Sequence, residues 1–142
     1  MDLKIKGRNA LVTGGCNGIG KSISIALARE GVNLTVTTRK KANARVALRE
    51  FKKFKCKIRV IELDFLKKNW LQKFKNAIKN CHYDILVNNA GHALDITNPY
   101  CKTDDWKKII NLNFLSHVEV CNNIIPKMKK KNWGRIVNIT SV

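Results

Sequence analysis

Long apolar runs are missing from this 142-residue chain. No stretch approaches the roughly 20 apolar residues that a membrane-spanning helix needs. The opening residues, Met1 to Lys6, also lack the apolar run of a secretory signal peptide. We therefore expect a cytoplasmic protein with no membrane partner.

Paired cysteines are missing as well. The chain has five cysteines, none in a C-x-x-C pair, and an odd, scattered set without a secretion signal is typical of free thiols. Neither the cysteines nor the three histidines have the spacing of metal ligands, so the sequence predicts no metal site. The cysteines are Cys16, Cys56, Cys81, Cys101 and Cys121, and the histidines are His82, His92 and His117.

Acidic residues are scarce. The chain has 10 Asp and Glu against 28 Lys and Arg, a formal net charge of +18. Such a field attracts nucleic acid, and it also steers a polyanionic nucleotide. The lysines, however, are spread over helix positions that we expect to be exposed, and no aromatic ladder alternates with them. A solvated basic surface is the favoured interpretation, and a nucleic-acid partner is disfavoured.

A glycine-rich turn is what the chain does contain, at residues 13–20. It lies between the apolar run at residues 10–12 and a helical pattern that begins at Ile19. Glycines let the backbone turn sharply and approach a phosphate, and the N–H groups at a helix start face the anion. The spacing differs from the plain dinucleotide fingerprint G-x-G-x-x-G, so the turn needs support from other motifs.

Apolar strands alternate with amphipathic helices along the chain. The predicted strands cover residues 8–13, 32–38, 58–63, 84–87 and 135–140, and the helices cover 18–30, 41–54, 67–80, a segment from 103, and 113–131. In the second helix we expect Val46, Phe51 and Phe54 to face inward. The alternation predicts an α/β fold, a doubly wound parallel sheet with right-handed crossovers. Because no covering helix follows residue 140, we expect a domain truncated after its fifth strand and incomplete at the C-terminus.

Four motifs together carry a family resemblance: T-G-x-x-x-G-x-G at residues 13–20, N-N-A-G at 88–91, Asn113, and G-R-I-V-N-I-T-S at 134–141. They resemble the short-chain dehydrogenase/reductase family, in the common form that includes 3-oxoacyl-(acyl carrier protein) reductases. The resemblance covers residues 6–142. It implies that residues 1–142 form an NAD(P)-binding Rossmann domain, with the cofactor across the carboxyl ends of the strands.

The resemblance also implies which residues bind the cofactor. Those expected at the pyrophosphate are Gly14, Asn17, Gly18, Ile19 and Gly20. Those expected at the adenosine are Asp64 on the adenine amine, Phe65 beside it, and Asn89, Ala90 and Gly91 along the ribose. Without the family, a helix N-cap would be the favoured role of Asp64. Asn88 is expected to tie the central strands together.

Cofactor choice has its own signal at the end of the second predicted strand. NAD enzymes usually place an acid there to hold the ribose 2′-hydroxyl, whereas this chain has Arg39. A guanidinium can bind a 2′-phosphate in bidentate fashion, so NADP(H) is favoured over NAD(H). The alternative is that Arg39 merely begins a solvated basic helix.

The catalytic residues implied by the resemblance are incomplete. Ser141 resembles the serine that hydrogen-bonds the substrate oxygen, and Asn113 resembles the asparagine that holds a relay water. The family's Y-x-x-x-K pair is missing, because Val87 and Asp104 stand four residues after the only tyrosines, Tyr83 and Tyr100. A carbonyl accepting hydride would then lack a placed proton donor, so we expect the 142 residues alone to be inactive.

Two functions stay open at this point. In the first, the chain is the NADP(H)-binding part of a short-chain oxidoreductase, which transfers hydride between nicotinamide and a small carbonyl or alcohol such as a 3-oxoacyl thioester. The parent enzyme is then expected to be a homo-oligomer that uses the helix at residues 113–131. In the second, the chain is a non-catalytic nucleotide-binding module or a basic, nucleic-acid-associated Rossmann module.

Overall fold

Five parallel strands form the centre of the computed structural model, which describes residues 3–140. They are β1 (Asn9–Val12), β2 (Asn33–Thr38), β3 (Ile58–Glu62), β4 (Ile85–Asn88) and β5 (Arg135–Asn138), in the spatial order β3-β2-β1-β4-β5. The chain moves outward from β1 to β3 and then returns to the other side of β1. The carboxyl ends of β1 and β4 therefore flank the point of reversal, where open α/β sheets bind ligands. The expected doubly wound α/β fold is confirmed.

Five α-helices connect the strands of the described chain: α1 (Gly18–Arg29), α2 (Lys41–Phe51), α3 (Trp70–Ile78), α4 (Thr103–Ile110) and α5 (Ser116–Lys130). A π-helical turn, Asn111–Leu115, joins α4 to α5. The two last predicted helices are thus one continuous helical segment. Within residues 3–140, no helix combines the length and the apolar character that crossing a bilayer requires.

Each face of the sheet has its own apolar core. Val12 and Val36 are fully buried beneath α1 and α2, while Leu11 and Leu86 are fully buried beneath α3 and α5. Successive strand residues point to opposite faces, so Leu11 and Val12 belong to different cores. A strand covered on both faces needs apolar residues at every position, which explains the continuous apolar run in β1.

The inward face of α2 differs from the prediction at one position. Phe51 is fully buried and Phe54 packs against the core, as expected, but Val46 is 55% exposed. Ala47 is the fully buried residue instead. It lies four residues before Phe51, so the two share one helix face, and Val46 lies outside that face. The prediction for Val46 is wrong.

Asn88 joins the carboxyl ends of β4 and β5. Its side chain is fully buried, and Nδ2 donates a hydrogen bond to Oδ1 of Asn138 over 2.9 Å. The pair links β4 to β5 beyond the backbone ladder. The expected structural role of Asn88 is confirmed.

At the amino-terminal ends of the strands, the Asp84 side chain links the segment before β4 to the beginning of β1. Its carboxylate accepts hydrogen bonds from the Asn9 N–H at 2.8 Å and from His82 Nε2 at 3.1 Å, and Arg8 lies 3.4 Å away. Burial alone would raise the pKa of this carboxyl. The hydrogen bonds and the positive charges outweigh burial and hold the pKa below its usual value of 3.8.

We expect Asp84 to make folding sensitive to acid. A lowered pKa stabilises the fold above about pH 4, and this contribution is lost as the pH falls through the lowered value. Asp84→Asn should therefore reduce the free energy of unfolding at neutral pH by about 1–3 kcal/mol and flatten its acid dependence. Urea denaturation over a pH series measures both effects. Asp104→Asn, on an exposed carboxylate, is the matched control and should change little. An unchanged acid dependence in Asp84→Asn would contradict this assignment.

Candidate functional site

The hydroxyl of Thr13 joins the carboxyl ends of β1 and β4. Its Oγ1 accepts hydrogen bonds from the backbone N–H groups of Asn89 at 2.9 Å and Ala90 at 3.0 Å. The Asn89 side chain returns a hydrogen bond from Nδ2 to the Thr13 carbonyl at 3.0 Å. These bonds bring the glycine turn and the N-N-A-G segment into contact at the point where the strand order reverses.

The glycine turn is also held from β2. The N–H of Gly14 donates to Thr37 Oγ1 at 3.0 Å, and the N–H of Gly15 donates to the Thr37 carbonyl at 3.1 Å. Gly14 has a φ of +66°, in the left-handed region that favours glycine. The turn is therefore fixed against both neighbours of β1.

Close packing requires Gly20 at the start of α1. A Cβ added to Gly20 would overlap the Asn89 side-chain amide and the Gly14 carbonyl. The buried Ser24 hydroxyl lies 2.9 Å from the Gly20 carbonyl and 3.1 Å from the Gly15 carbonyl. The turn and the first helical turns of α1 are thus one packed unit.

The beginning of α1 is open and suited to an anion. Asn17, at the N-cap position, makes no capping hydrogen bond with its side chain, and the first turn contains no acidic residue. A Cβ at Gly18 would meet no atom within 4 Å, and Ile19 is 65% exposed. The unpaired N–H groups and the dipole of a helix start favour negative charge. These residues fit a phosphate group of a nucleotide cofactor.

The end of β2 lies beside this opening. Arg39 is exposed and stands two residues after Thr37. The hydroxyl and the carbonyl of Thr37 hold the glycine turn.

Cys16, within the glycine turn, is only 4% exposed. Burial raises the pKa of its thiol to about 11, against a weaker opposing hydrogen bond to Thr38. Cys16 is therefore a neutral packing residue rather than a nucleophile.

The two expected adenine residues follow β3. Oδ1 of Asp64 accepts a hydrogen bond from the Leu66 N–H at 3.0 Å, closing a local turn. It does not cap α3, which begins at Trp70, so the alternative of a helix N-cap is wrong. Phe65 is 8% exposed and packs edge-on against Trp70, with 4.8 Å between the ring centroids.

Asn113 lies in the π-helical turn and clamps the segment after β4. Its Oδ1 accepts from the His92 N–H at 2.9 Å, while Nδ2 donates to the carbonyls of His92 at 3.0 Å and Ile109 at 2.9 Å. A Cβ at Gly91 would lie 2.5 Å from Asn113 Oδ1. The structure thus brings Asn113 against the N-A-G segment, and π-helical turns recur at functional sites. Ser141 lies outside the described residues.

Sequence reasoning included Thr13 in the glycine motif but gave its hydroxyl no role, and it missed three other side chains that hold the site together. These are Ser24, Thr37 and His117, whose Nε2 lies 2.7 Å from the Ala90 carbonyl. Ser24 stands four residues after Gly20, a spacing that puts both on one helix face, and this was a usable signal. No sequence pattern relates His117 to Ala90.

Comparison with known proteins agrees with this geometry. A family model described as short chain dehydrogenase matches residues 8–142. The chain belongs to the short-chain dehydrogenase family. The resemblance drawn from the four motifs is confirmed, and the family binds a nicotinamide cofactor.

Individual relatives are similar over the whole chain. A 3-oxoacyl-[acyl-carrier-protein] reductase FabG of Aquifex aeolicus is 34% identical, over 100% of this chain and 58% of that protein. An L-sorbose reductase from Gluconobacter frateurii, solved with NADPH and L-sorbose, has a TM-score of 0.90 at 26% identity, over 100% of this chain and 55% of that one. A 7α-hydroxysteroid dehydrogenase complexed with NADH has a TM-score of 0.87 at 28% identity, over 99% and 55%. The chain spans about half the length of the curated relatives it matches.

A methyl group at Gly20 should disrupt the packed unit of turn and helix. We expect Gly20→Ala to lower the free energy of unfolding by about 1–3 kcal/mol, because the added Cβ overlaps Asn89 and the Gly14 carbonyl. Chemical denaturation measures the change. Gly18→Asn is the control for stability, since the site is open and asparagine tolerates a positive φ. Equal losses in both variants would contradict the packing argument.

Proposed function

We propose that this chain is the NADP(H)-binding part of a short-chain oxidoreductase, with residues 1–142 forming the NAD(P)-binding Rossmann domain. The enzyme would transfer hydride between nicotinamide and a carbonyl or alcohol carbon. The observation that carries the proposal is the open, uncapped start of α1 at the reversal point between β1 and β4. The relative named 3-oxoacyl-[acyl-carrier-protein] reductase supports a 3-oxoacyl thioester as the substrate class.

The pyrophosphate would be bound by the turn at Gly14 and by the helix start from Asn17 to Gly20. Main-chain N–H groups there would donate to phosphate oxygens, and the absence of an acid in the first turn of α1 removes a source of repulsion. Exposed Ile19 would cover the bound group and exclude water. This role needs no side-chain charge, which is why glycines dominate the segment.

The adenosine would lie over the neighbouring strand ends. The ribose would lie along the segment Asn89–Gly91. The side chain of Asn89 is held by Thr13, and Ala90 and Gly91 have side chains small enough to let the ribose approach the backbone. Asp64 would accept a hydrogen bond from the adenine amine. Phe65 is only 8% exposed, so its contact with the adenine would be small.

The 2′-phosphate of NADP(H) would be bound by Arg39. Its guanidinium is exposed at the end of β2, where a carboxylate would select NAD(H). The neighbour solved with NADPH supports this choice. Another neighbour is complexed with NADH, so the preference for NADP(H) rests on the positive charge at position 39 of this chain.

At the reacting end, bound NADP(H) would supply the hydride. Ser141 would donate a hydrogen bond to the substrate oxygen. Both amide hydrogens of Asn113 are used by the carbonyls of His92 and Ile109, so Asn113 could hold a relay water only through an oxygen acceptor. The 142 residues contain no Y-x-x-x-K pair to move the proton, and we propose that they bind cofactor without turnover.

We also propose that the enzyme is a homo-oligomer. Apolar side chains along the α4–α5 segment are exposed, and a patch of this kind is typical of a protein interface. They are Ile110 at 47%, Phe114 at 61%, Leu115 at 45% and Val118 at 39%. A cytoplasmic location stays a prediction.

Charge removal at Arg39 tests the proposal. We expect the full chain to bind NADPH more tightly than NADH, and Arg39→Gln to weaken NADPH binding about 10–100-fold, because charge-assisted hydrogen bonds to the 2′-phosphate are lost. NADH affinity should stay within about twofold. Titrations followed by nucleotide fluorescence measure both ligands. Arg45→Gln, an equal charge change at an exposed position of α2, is the control and should alter neither affinity.

Loss of affinity for both nucleotides in Arg39→Gln would contradict a 2′-phosphate contact. No binding of either nucleotide by the folded chain would contradict the proposed function itself.

A further inference from the structure

The segment after β4 contains an exposed glycine, Gly91, between two anchored residues. The N–H of the preceding Ala90 donates to Thr13 Oγ1 at 3.0 Å. The N–H of the following His92 donates to Asn113 Oδ1 at 2.9 Å. Glycine has the widest conformational freedom of any residue, so the segment would move most readily at Gly91.

His117 adds a third contact to this segment, on the carbonyl of Ala90. The residue lies in the first turn of α5 and is half-buried. Its Nε2 lies 2.7 Å from the Ala90 carbonyl oxygen. Because a carbonyl oxygen can only accept, Nε2 must carry the hydrogen and donate. The neutral ring with its proton on Nε2 and the imidazolium both supply this donor.

The contact with His117 fixes the direction of a free backbone donor. The Ala90–Gly91 peptide is trans, so its N–H and its carbonyl point to opposite sides of the chain. Since the carbonyl is directed at His117, the Gly91 N–H points away from α5. Within residues 3–140 this N–H donates to no acceptor. It is therefore available to a ligand at the carboxyl end of β4.

The other two anchors do not set this direction. Thr13 holds the peptide before Ala90, and Asn113 holds the peptide after Gly91. Rotation about the bonds that flank the Ala90–Gly91 peptide would turn its carbonyl and its N–H together and leave both anchors in place. Among the described residues, His117 is the one whose side chain donates to this carbonyl.

We propose that His117 is a positioning residue for the nucleotide. By holding the Ala90 carbonyl, it directs the Gly91 N–H to an oxygen of the bound adenosine ribose. His117 itself touches neither cofactor nor substrate. This role rests on the proposed function, and it belongs to a residue that lies outside the four sequence motifs.

Two substitutions at position 117 test this role. His117→Leu removes the donor and keeps an apolar side chain in place, whereas His117→Gln offers an amide N–H of similar reach. We expect His117→Leu to weaken the binding of NADPH and NADH by the same factor, about 3–10-fold, because both share the ribose that loses a hydrogen bond. His117→Gln should keep both affinities within about twofold of wild type. Titrations of the full chain followed by nucleotide fluorescence measure them.

His82→Leu is the matched control for lost stability. The Nε2 of His82 lies 3.1 Å from Asp84 Oδ1, at the amino-terminal ends of the strands. Its loss should lower the urea midpoint about as much as His117→Leu does, since each removes one histidine hydrogen bond. Both nucleotide affinities should stay unchanged in His82→Leu. The comparison separates positioning of the Gly91 N–H from general destabilisation.

Amide NMR of the wild-type chain is a second measurement and needs no variant to fold. Saturating NADPH should move the Gly91 amide proton downfield and slow its exchange with water, as expected for a donor that gains an acceptor.

Three results would overturn the role of His117 and leave the proposed function in place. They are unchanged affinities in His117→Leu, an equal loss in His117→Gln or His82→Leu, and an unmoved Gly91 amide at saturating NADPH. Failure of the folded wild-type chain to bind either nucleotide would instead contradict the proposed function, and the role of His117 with it.

Discussion

The hydrogen bonds of the Thr13 hydroxyl are the constraint on which the site depends. One buried oxygen accepts the N–H groups of Asn89 and Ala90, while the Asn89 side chain bonds back to the Thr13 carbonyl. Gly20 must be glycine because Asn89 occupies the space of a Cβ. These contacts fix the positions of three segments relative to one another: the glycine turn, the start of α1 and the N-N-A-G segment. A change in one of them therefore displaces the other two.

Electrostatics make the opening at the start of α1 suited to an anion. The start of α1 lacks both a side-chain cap and an acid, so its N–H groups remain available to an anion. The net charge of +18 adds a long-range attraction for any polyanion, which salt weakens. Selectivity must then come from short-range contacts, and we propose that the exposed Arg39 at the end of β2 supplies them, because a guanidinium can bind a phosphate in bidentate fashion.

Much of the fold could be predicted from local sequence, since apolar strand runs and the glycine turn depend on neighbouring residues. The family motifs added the positions of the site. The side-chain network could not be predicted, because Thr13 and Asn89, or Ala90 and His117, meet only after the sheet has formed. The π-helical turn at Asn113 has no periodic signature, and the burial of Ala47 in place of Val46 depends on the angle at which α2 packs. The roles of the cofactor and catalytic residues stay predictions.

Backbone amide NMR of the full chain, recorded with increasing NADPH, tests the central claim most directly. We expect the largest shifts at the Gly14–Gly20 turn and at Ala90 and Gly91, with no change at the amino-terminal ends of the strands around Asp84. We also expect the hydrogen bonds between Thr13 and the backbone of Asn89 and Ala90 to persist when NADPH binds. Saturable shifts confined to any other surface, or none at the glycine turn, would contradict binding of the cofactor at this turn.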